Sequence, residues 1–146
     1  MRYTKAVVYI LCIILLLSCS TTLKVIDSEK STIVAGREGV KSKDRYTLTV
    51  KNRCKKDVTI KEIIVCRNNR YYNMAFDITI EGKTTLLKRL KQFRTYTIIA
   101  IPKYETALPD SYCTKNFKVL IKYTTGTRNG TLYVKNIKEG KVILQH

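Results

Sequence analysis

Few side chains in this 146-residue sequence are able to do covalent chemistry: five cysteines, at positions 12, 19, 54, 66 and 113, and one histidine, His146, at the last position. A Ser-His-Asp or Cys-His system needs an imidazole held rigidly beside its nucleophile, and a terminal residue is a poor support for one. Zinc needs clustered thiolates or imidazoles, and Cys54, Cys66 and Cys113 form no CxxC pair. The acidic residues are scattered: Asp27 and Glu29 lie in a polar N-terminal stretch, while Glu105 and Asp110 flank a proline loop. Paired carboxylates of the glycosidase kind would have to be brought together by the fold, because their spacing does not do it. Gly82-Lys83-Thr84 has the ending of a phosphate-binding loop, but Asp77 holds the place of its first glycine, inside a strand pattern. An enzyme is therefore the last of the readings, and no metal or cofactor is expected. What remains is thiol chemistry: acylation of one cysteine and oxidation of others.

Cys19 is the candidate for acylation. It follows a basic start, with Arg2 and Lys5, and the almost wholly apolar run Ala6 to Leu17. That run suits the core of an export signal and falls short of the ~20 residues of a spanning helix. Leu16-Leu17-Ser18-Cys19 supplies an aliphatic residue, a tolerant position, a small residue and a cysteine, in that order. The tetrapeptide resembles the lipobox of bacterial lipoprotein precursors. The resemblance implies that Cys19 is diacylglycerated, that residues 1–18 are removed, and that the new amino terminus is acylated. It covers about the first twenty residues and is silent on the rest. Two or three acyl chains hold a protein on a membrane stably, where one does so only marginally. Ser20, rather than aspartate, after the cysteine resembles the outer-membrane sorting pattern.

Loss of residues 1–18 removes Arg2 and Lys5 from the 28 basic residues, leaving 26 against 11 acidic ones. Such a field attracts polyanions with salt-sensitive affinity. Around an exported, tethered protein these are phospholipid headgroups, lipopolysaccharide, acidic glycans and envelope proteins, and nucleic acid falls well down the list. The lysines are spread along the chain and no block forms a basic tail. A lysine-rich solvated surface with no partner at all would have the same composition.

Residues 19–31 are polar and rich in Ser and Thr, which suggests a flexible tether, with the folded domain occupying 32–146. From Thr32 onward short β-rich runs recur: 32–35, 45–51, 58–65, 72–80, 96–101, 117–123, 131–137 and 142–144. Turn residues separate them, including Asn52 to Asp57, Arg67 to Asn69 and Asn129-Gly130. Phe76, Ile78 and Ile80 alternate with Asp77 and Thr79, as do Phe117, Val119, Ile121 and Tyr123 with Lys118 and Lys122, the period of a half-buried sheet. Seven or eight strands in one domain of this size predict an all-β fold, an antiparallel two-sheet sandwich. Tyr46–Asn52 followed by Val58-Thr59-Ile60 resembles the strand–turn–strand of immunoglobulin-like envelope domains, without the tryptophan of antibody domains. One segment departs from the pattern. Leu86, Leu87, Leu90 and Phe93 fall at helical spacing among Lys83, Lys88, Arg89, Lys91 and Arg94, which suggests a short helix over 83–93. The first reading is a crossover helix or irregular connection whose leucines cap the core; the other makes its basic residues candidates for contact with a membrane surface.

Of the cysteines left after removal of Cys12 and acylation of Cys19, three remain, so at most one internal bridge forms. Cys54 and Cys66 lie at opposite ends of one strand, roughly 25–30 Å apart at strand rise, whereas a disulfide needs Cα atoms within about 7 Å. If 83–93 adds no strand, the loop holding Cys113 returns to the Cys66 end, predicting Cys66–Cys113 with Cys54 free. One additional strand would reverse the parity and favour Cys54–Cys113. The same end would gather Arg67, Arg70, Tyr71, Tyr72, Tyr104 and Tyr112 into an aromatic and cationic patch suited to a sugar face or a partner protein.

The sequence thus points to a lipid-anchored, non-catalytic binding or structural module of the cell envelope, on the outer membrane. A glycan-binding surface or secreted domain that uses the Tyr/Arg patch is the runner-up.

Overall fold

The computed structural model describes residue 7 and residues 22–36, 39–85, 87–103, 107–108, 112–113 and 116–145. Cys19 and the tetrapeptide around it lie outside these. Among the described residues, ten strands follow in chain order: β1 (Leu23–Ala35), β2 (Lys43–Asn52), β3 (Val58–Arg67), β4 (Arg70–Ile80), β5 (Lys83–Thr84), β6 (Arg89–Leu90), β7 (Thr95–Pro102), β8 (Val119–Thr125), β9 (Arg128–Val134) and β10 (Lys138–Gln145). The fold is all-β. Among the described residues no helix is long and apolar enough to cross a membrane.

The strands form one sheet in the order β10-β1-β2-β7-β4-β3-β8-β9, with β5 paired to β4 and β6 to β3. β9 and β10 stand at opposite ends of that order, yet only residues 135–137 separate them, a span of about 14 Å at full extension. The sheet must therefore curl until its ends approach. β4 is shared along its length: Arg70–Asn73 pair with β3, and Met74–Thr79 pair with β7. One core cluster accordingly collects side chains from both stretches, including Leu48, Val50 and Ile98 from β2 and β7 and Ile63, Val65 and Ile121 from β3 and β8.

Period-two alternation supplies most of that core. Tyr46, Leu48 and Val50 point inward along β2, as do Met74, Phe76 and Ile78 along β4. β3 would break the rule, since its next inward position after Ile60 is Glu62. A bulge between Ile60 and Glu62 inserts one residue against β8, so that Ile60, Ile63 and Val65 all reach the core while the Glu62 carboxylate meets Lys122 Nζ at 2.9 Å. Asn68 and Asn69 both have positive φ, 49° and 61°, between the paired Arg67 and Arg70. Asparagine tolerates this left-handed backbone, which a two-residue hairpin turn requires.

The structure differs from the sequence expectation in four places. β1 takes up residues 23–31, assigned above to a tether. Two of its buried positions are Ser28 and Ser31, so the strand carries a weak apolar signal, and Ser28 Oγ instead donates to the Asn136 carbonyl at 2.8 Å. The sheet is mixed, because β10 arrives from β9 across the curl and runs parallel to β1, while the other described pairs are antiparallel. The tight turn after β8 is Gly126-Thr127, between paired Thr125 and Arg128, with Gly126 at φ 59°. Asn129-Gly130 lies inside β9, where a Cβ on residue 130 would strike the Tyr123 ring that crosses it. Finally, the described part of 83–93 forms no helix. Glu81 and Gly82, both at positive φ, reverse the chain so that Lys83 and Thr84 pair with Ile80 and Thr79, and Leu90 enters the core from β6.

That last difference leaves the cysteine parity unchanged. β5 runs against β4, whereas β6 runs against β3 and so travels with β4, and β7 then runs against β4. Two short strands, one back and one forward, cancel.

Candidate binding surface at the disulfide pole

Strand direction sorts the side chains to two poles. At the N-terminal pole β1 begins and β2 ends, with the turns 53–57, 81–82 and 126–127 and the segment 91–94. At the other pole lie the Asn68-Asn69 turn, the start of β2 and the connection from β7 to β8. The disulfide joins Cys66 to Cys113 at this second pole, with Cα atoms 6.0 Å apart, and Cys54 is a free, half-buried thiol at the first. Two backbone contacts add to the clamp: the Cys113 N–H donates to the Asn69 carbonyl at 3.0 Å, and Arg70 and Tyr112 form an isolated bridge.

The aromatic and cationic residues predicted to meet here do share the pole, but the strand register divides them. Cys66 stands opposite Tyr71, Val65 opposite Tyr72 and Arg67 opposite Arg70, and cross-strand partners share a face. Tyr71 therefore sits on the disulfide's face, stacked on Phe117 with ring centroids 5.7 Å apart, and Phe117 in turn meets Tyr133 at 5.3 Å. Arg67, Arg70 and Tyr72 lie on the other face. The Arg70 guanidinium lies 5.1 Å from the ring centroid of Tyr112, which is 61% exposed, and Arg70 Nε is buried with no hydrogen-bond partner. Tyr104 is outside the described residues.

Tyr72 and Arg67 line a cleft of about 270 Å3 with Lys41, Ser42, Lys43 and Lys103. The lysines come from the start of β2 and the end of β7, far apart in sequence, and only the β2–β7 and β4–β7 pairings bring them to Tyr72. The clustered basic spacing Lys41-Ser42-Lys43 was a local signal that sequence reading missed. Beneath the cleft, the nearly buried Asp44 carboxylate forms ion pairs with Arg67 Nη1 at 3.4 Å and Lys30 Nζ at 3.7 Å. Next to it, burial pushes the Tyr46 hydroxyl up to about 12, with the Asp44 charge pushing the same way, Arg67 opposing it and Glu139 adding to it. Tyr46 stays protonated at neutral pH.

This arrangement suits binding. A cationic cleft beside a tyrosine ring matches a ligand with an anionic group and an apolar face. Its buried carboxylate is held by two cations. Among the described residues no group of three or more His, Cys, Asp or Glu is placed to hold a metal ion.

Of the five cations predicted to meet a membrane, Lys83, Arg89, Lys91 and Arg94 lie at the N-terminal pole, while Lys88 turns back along the sheet. Lys83 opens β5 and Arg89 opens β6. Lys88 Nζ sits 3.9 Å from the Phe76 ring centroid, the Lys91 N–H donates to Tyr96 Oη at 2.8 Å, and the Arg94 carbonyl accepts the Asn52 N–H at 3.0 Å. Leu90 is buried, whereas Leu87 and Phe93 are exposed, so the apolar stripe imagined on a helix is divided between core and solvent. Leu86 is outside the described residues. Sequence reading missed Asn52 at this pole. Fully buried, it donates from Nδ2 to the Lys56 and Leu90 carbonyls at 2.9 and 3.0 Å and accepts the Cys54 N–H at 2.9 Å.

No protein-family model matches this chain, and no curated protein does. Among solved structures it is similar to the GH20 exo-β-N-acetylglucosaminidase of Vibrio harveyi, both in complex with N-acetylglucosamine and as an inactive mutant. In each case the TM-score is 0.36 and the identity 12%, over 86% of this chain and 19% of the enzyme's. The chain thus spans about a fifth of that enzyme's length, and a likeness this weak carries no argument about activity.

Proposed function

We propose that this protein is a lipid-anchored lipoprotein of the cell envelope, on the outer membrane, whose single domain binds a partner and catalyses nothing. Its sheet is read as an immunoglobulin-like sandwich of two layers with β4 shared between them. The lipobox-like Leu16-Leu17-Ser18-Cys19 supports the anchor. The observation that carries the binding role is the cleft where Lys41, Lys43, Arg67 and Lys103 surround Tyr72 at the pole clamped by Cys66–Cys113. In this reading the lipid supplies location and the disulfide pole supplies recognition, of an acidic patch on an envelope protein. Recognition of an acidic glycan by the same cleft is the second reading, favoured by the exposed Tyr112 ring beside Arg70.

The full chain, purified in detergent, is tested by pull-down from envelope extract and on an array of acidic and neutral glycans. Lys43→Glu and Tyr72→Ala should abolish the interaction while circular dichroism stays unchanged. Capture that both variants retain moves recognition away from this pole. Binding only to the array selects the glycan reading.

A further inference from the structure

The N-terminal pole carries a second surface. The Thr22 carbonyl accepts the Arg53 N–H at 2.9 Å, Leu23 pairs with Asn52, and the Asn52 N–H donates to the Arg94 carbonyl at 3.0 Å. The start of β1, the 53–57 turn and the 91–94 segment therefore adjoin one another. Cys19 precedes Leu23 by four residues, at most about 14 Å of chain. Whatever holds Cys19 at a membrane holds this pole against it.

The pole is built for that contact in both charge and apolarity. The 53–57 turn contributes Arg53, Lys55 and Lys56, the segment from β5 to β7 contributes Lys83, Arg89, Lys91 and Arg94, and the turn into β9 contributes Arg128. Asp57 and Glu81 are the acidic residues among these turns, and no ion pair engages the eight cations among the described residues. Leu87 and Phe93 stand out from the same segment, 67% and 56% exposed. Phe93 has φ 54°, a left-handed backbone that a bulky residue rarely adopts, and here its ring is left in solvent. Basic residues near an anionic bilayer each add to its attraction, and apolar side chains that reach the acyl boundary add further.

We infer that the domain rests on the membrane through this pole, with the cations of its turns on phospholipid phosphates and Phe93 and Leu87 seated at the headgroup–acyl boundary. The occupant is an anionic phospholipid surface. The disulfide pole then points away from the membrane, with its cleft open to a partner. The orientation rests on the lipid-anchored reading for its nearness to a bilayer, but the lipid contacts are a property of the pole itself.

The chain contains no tryptophan, so one introduced tryptophan reports alone. Full-length Phe93→Trp and Val40→Trp chains, the latter marking the opposite pole, are reconstituted into phosphatidylcholine vesicles with and without phosphatidylglycerol, using brominated acyl chains as quencher. With phosphatidylglycerol, Phe93→Trp emission should shift to the blue and lose more than about half its intensity, whereas Val40→Trp should keep a solvent spectrum. Adding Lys55→Glu, Lys56→Glu and Lys91→Glu to Phe93→Trp should restore the emission. Leu87→Trp is the second reporter should Phe93→Trp fail to fold. A solvent spectrum for both pole reporters on vesicles that float with the protein overturns the inference, as does equal quenching of Val40→Trp. Intact mass of the same samples reports acylation independently: an unacylated chain that still shows the phosphatidylglycerol-dependent shift refutes the anchor and keeps the pole.

Discussion

The two poles of this domain solve opposite problems with similar residues. At the disulfide pole, Arg67 is paired with Asp44, Arg70 faces Tyr112, and Cys66–Cys113 fixes the long connection from β7 to β8. At the N-terminal pole, cations outnumber acids and form no ion pair among the described residues, two large apolar side chains stand in solvent, and the one described free thiol, Cys54, is left unbridged. Cohesion at the first pole is covalent and aromatic. At the second it depends on Asn52, whose side-chain amide joins the 53–57 turn to the segment after β6. A surface that must present a fixed shape to a partner gains from cross-linking, whereas one that meets a fluid bilayer needs only charge and a few apolar tips.

The comparison breaks most visibly at the disulfide. Cys66→Ser with Cys113→Ser opens a loop whose ends are 47 residues apart, which in the chain-entropy account costs about 4 kcal/mol. The midpoint of urea unfolding should fall accordingly, and cleft binding should weaken more than vesicle binding. Next comes Asn52→Ala, which removes the hydrogen bonds to the Lys56 and Leu90 carbonyls and from the Cys54 N–H and leaves the buried Leu90 carbonyl without its partner, at a cost of about 3 kcal/mol. Hydrogen exchange should then accelerate in residues 53–57 and 90–94 before it does around Cys66.

Tyr46 gives a smaller, pH-dependent effect. Its folded pKa of about 12 lies above the ordinary 10, so the unfolded chain releases the proton first. This contribution is complete below pH 10 and is lost as pH rises from 10 towards 12, just below about 3 kcal/mol at most. Tyr46→Phe should flatten that alkaline decline relative to the parent chain. Smallest is Asp27, whose hydrogen bond from Lys138 holds its carboxyl below the usual range. The pairing favours the folded chain above the ordinary carboxylate pKa and fades as pH falls, but both groups are fully exposed, so Asp27→Asn should leave the unfolding midpoint unchanged within error.

Strands whose inward positions are Val, Ile, Leu or Phe were legible in the sequence, as β2, β4 and β7 demonstrate. β1 was not, because Ser28 and Ser31 fill buried positions against β10 and the 135–137 connection. The helical spacing of Leu87, Leu90 and Phe93 misled for a related reason: Glu81-Gly82 is a hairpin turn without the usual Asn or Asp, and once the chain reverses there Leu90 alone goes inward. The disulfide pairing was legible through strand parity, a property that two cancelling short strands preserve. The cleft was legible only in part. Arg67 and Tyr72 adjoin a readable hairpin, but Lys43 and Lys103 reach them through sheet order, which local pattern does not encode.

The anchor is the central claim, since both the orientation of the poles and the envelope location depend on it. The most direct test is the intact mass of the protein recovered from membranes of a bacterial host, beside its Cys19→Ser variant. The account predicts a mass equal to residues 19–146 plus acyl groups, lost in the variant. An unacylated chain, cut or uncut, would contradict it.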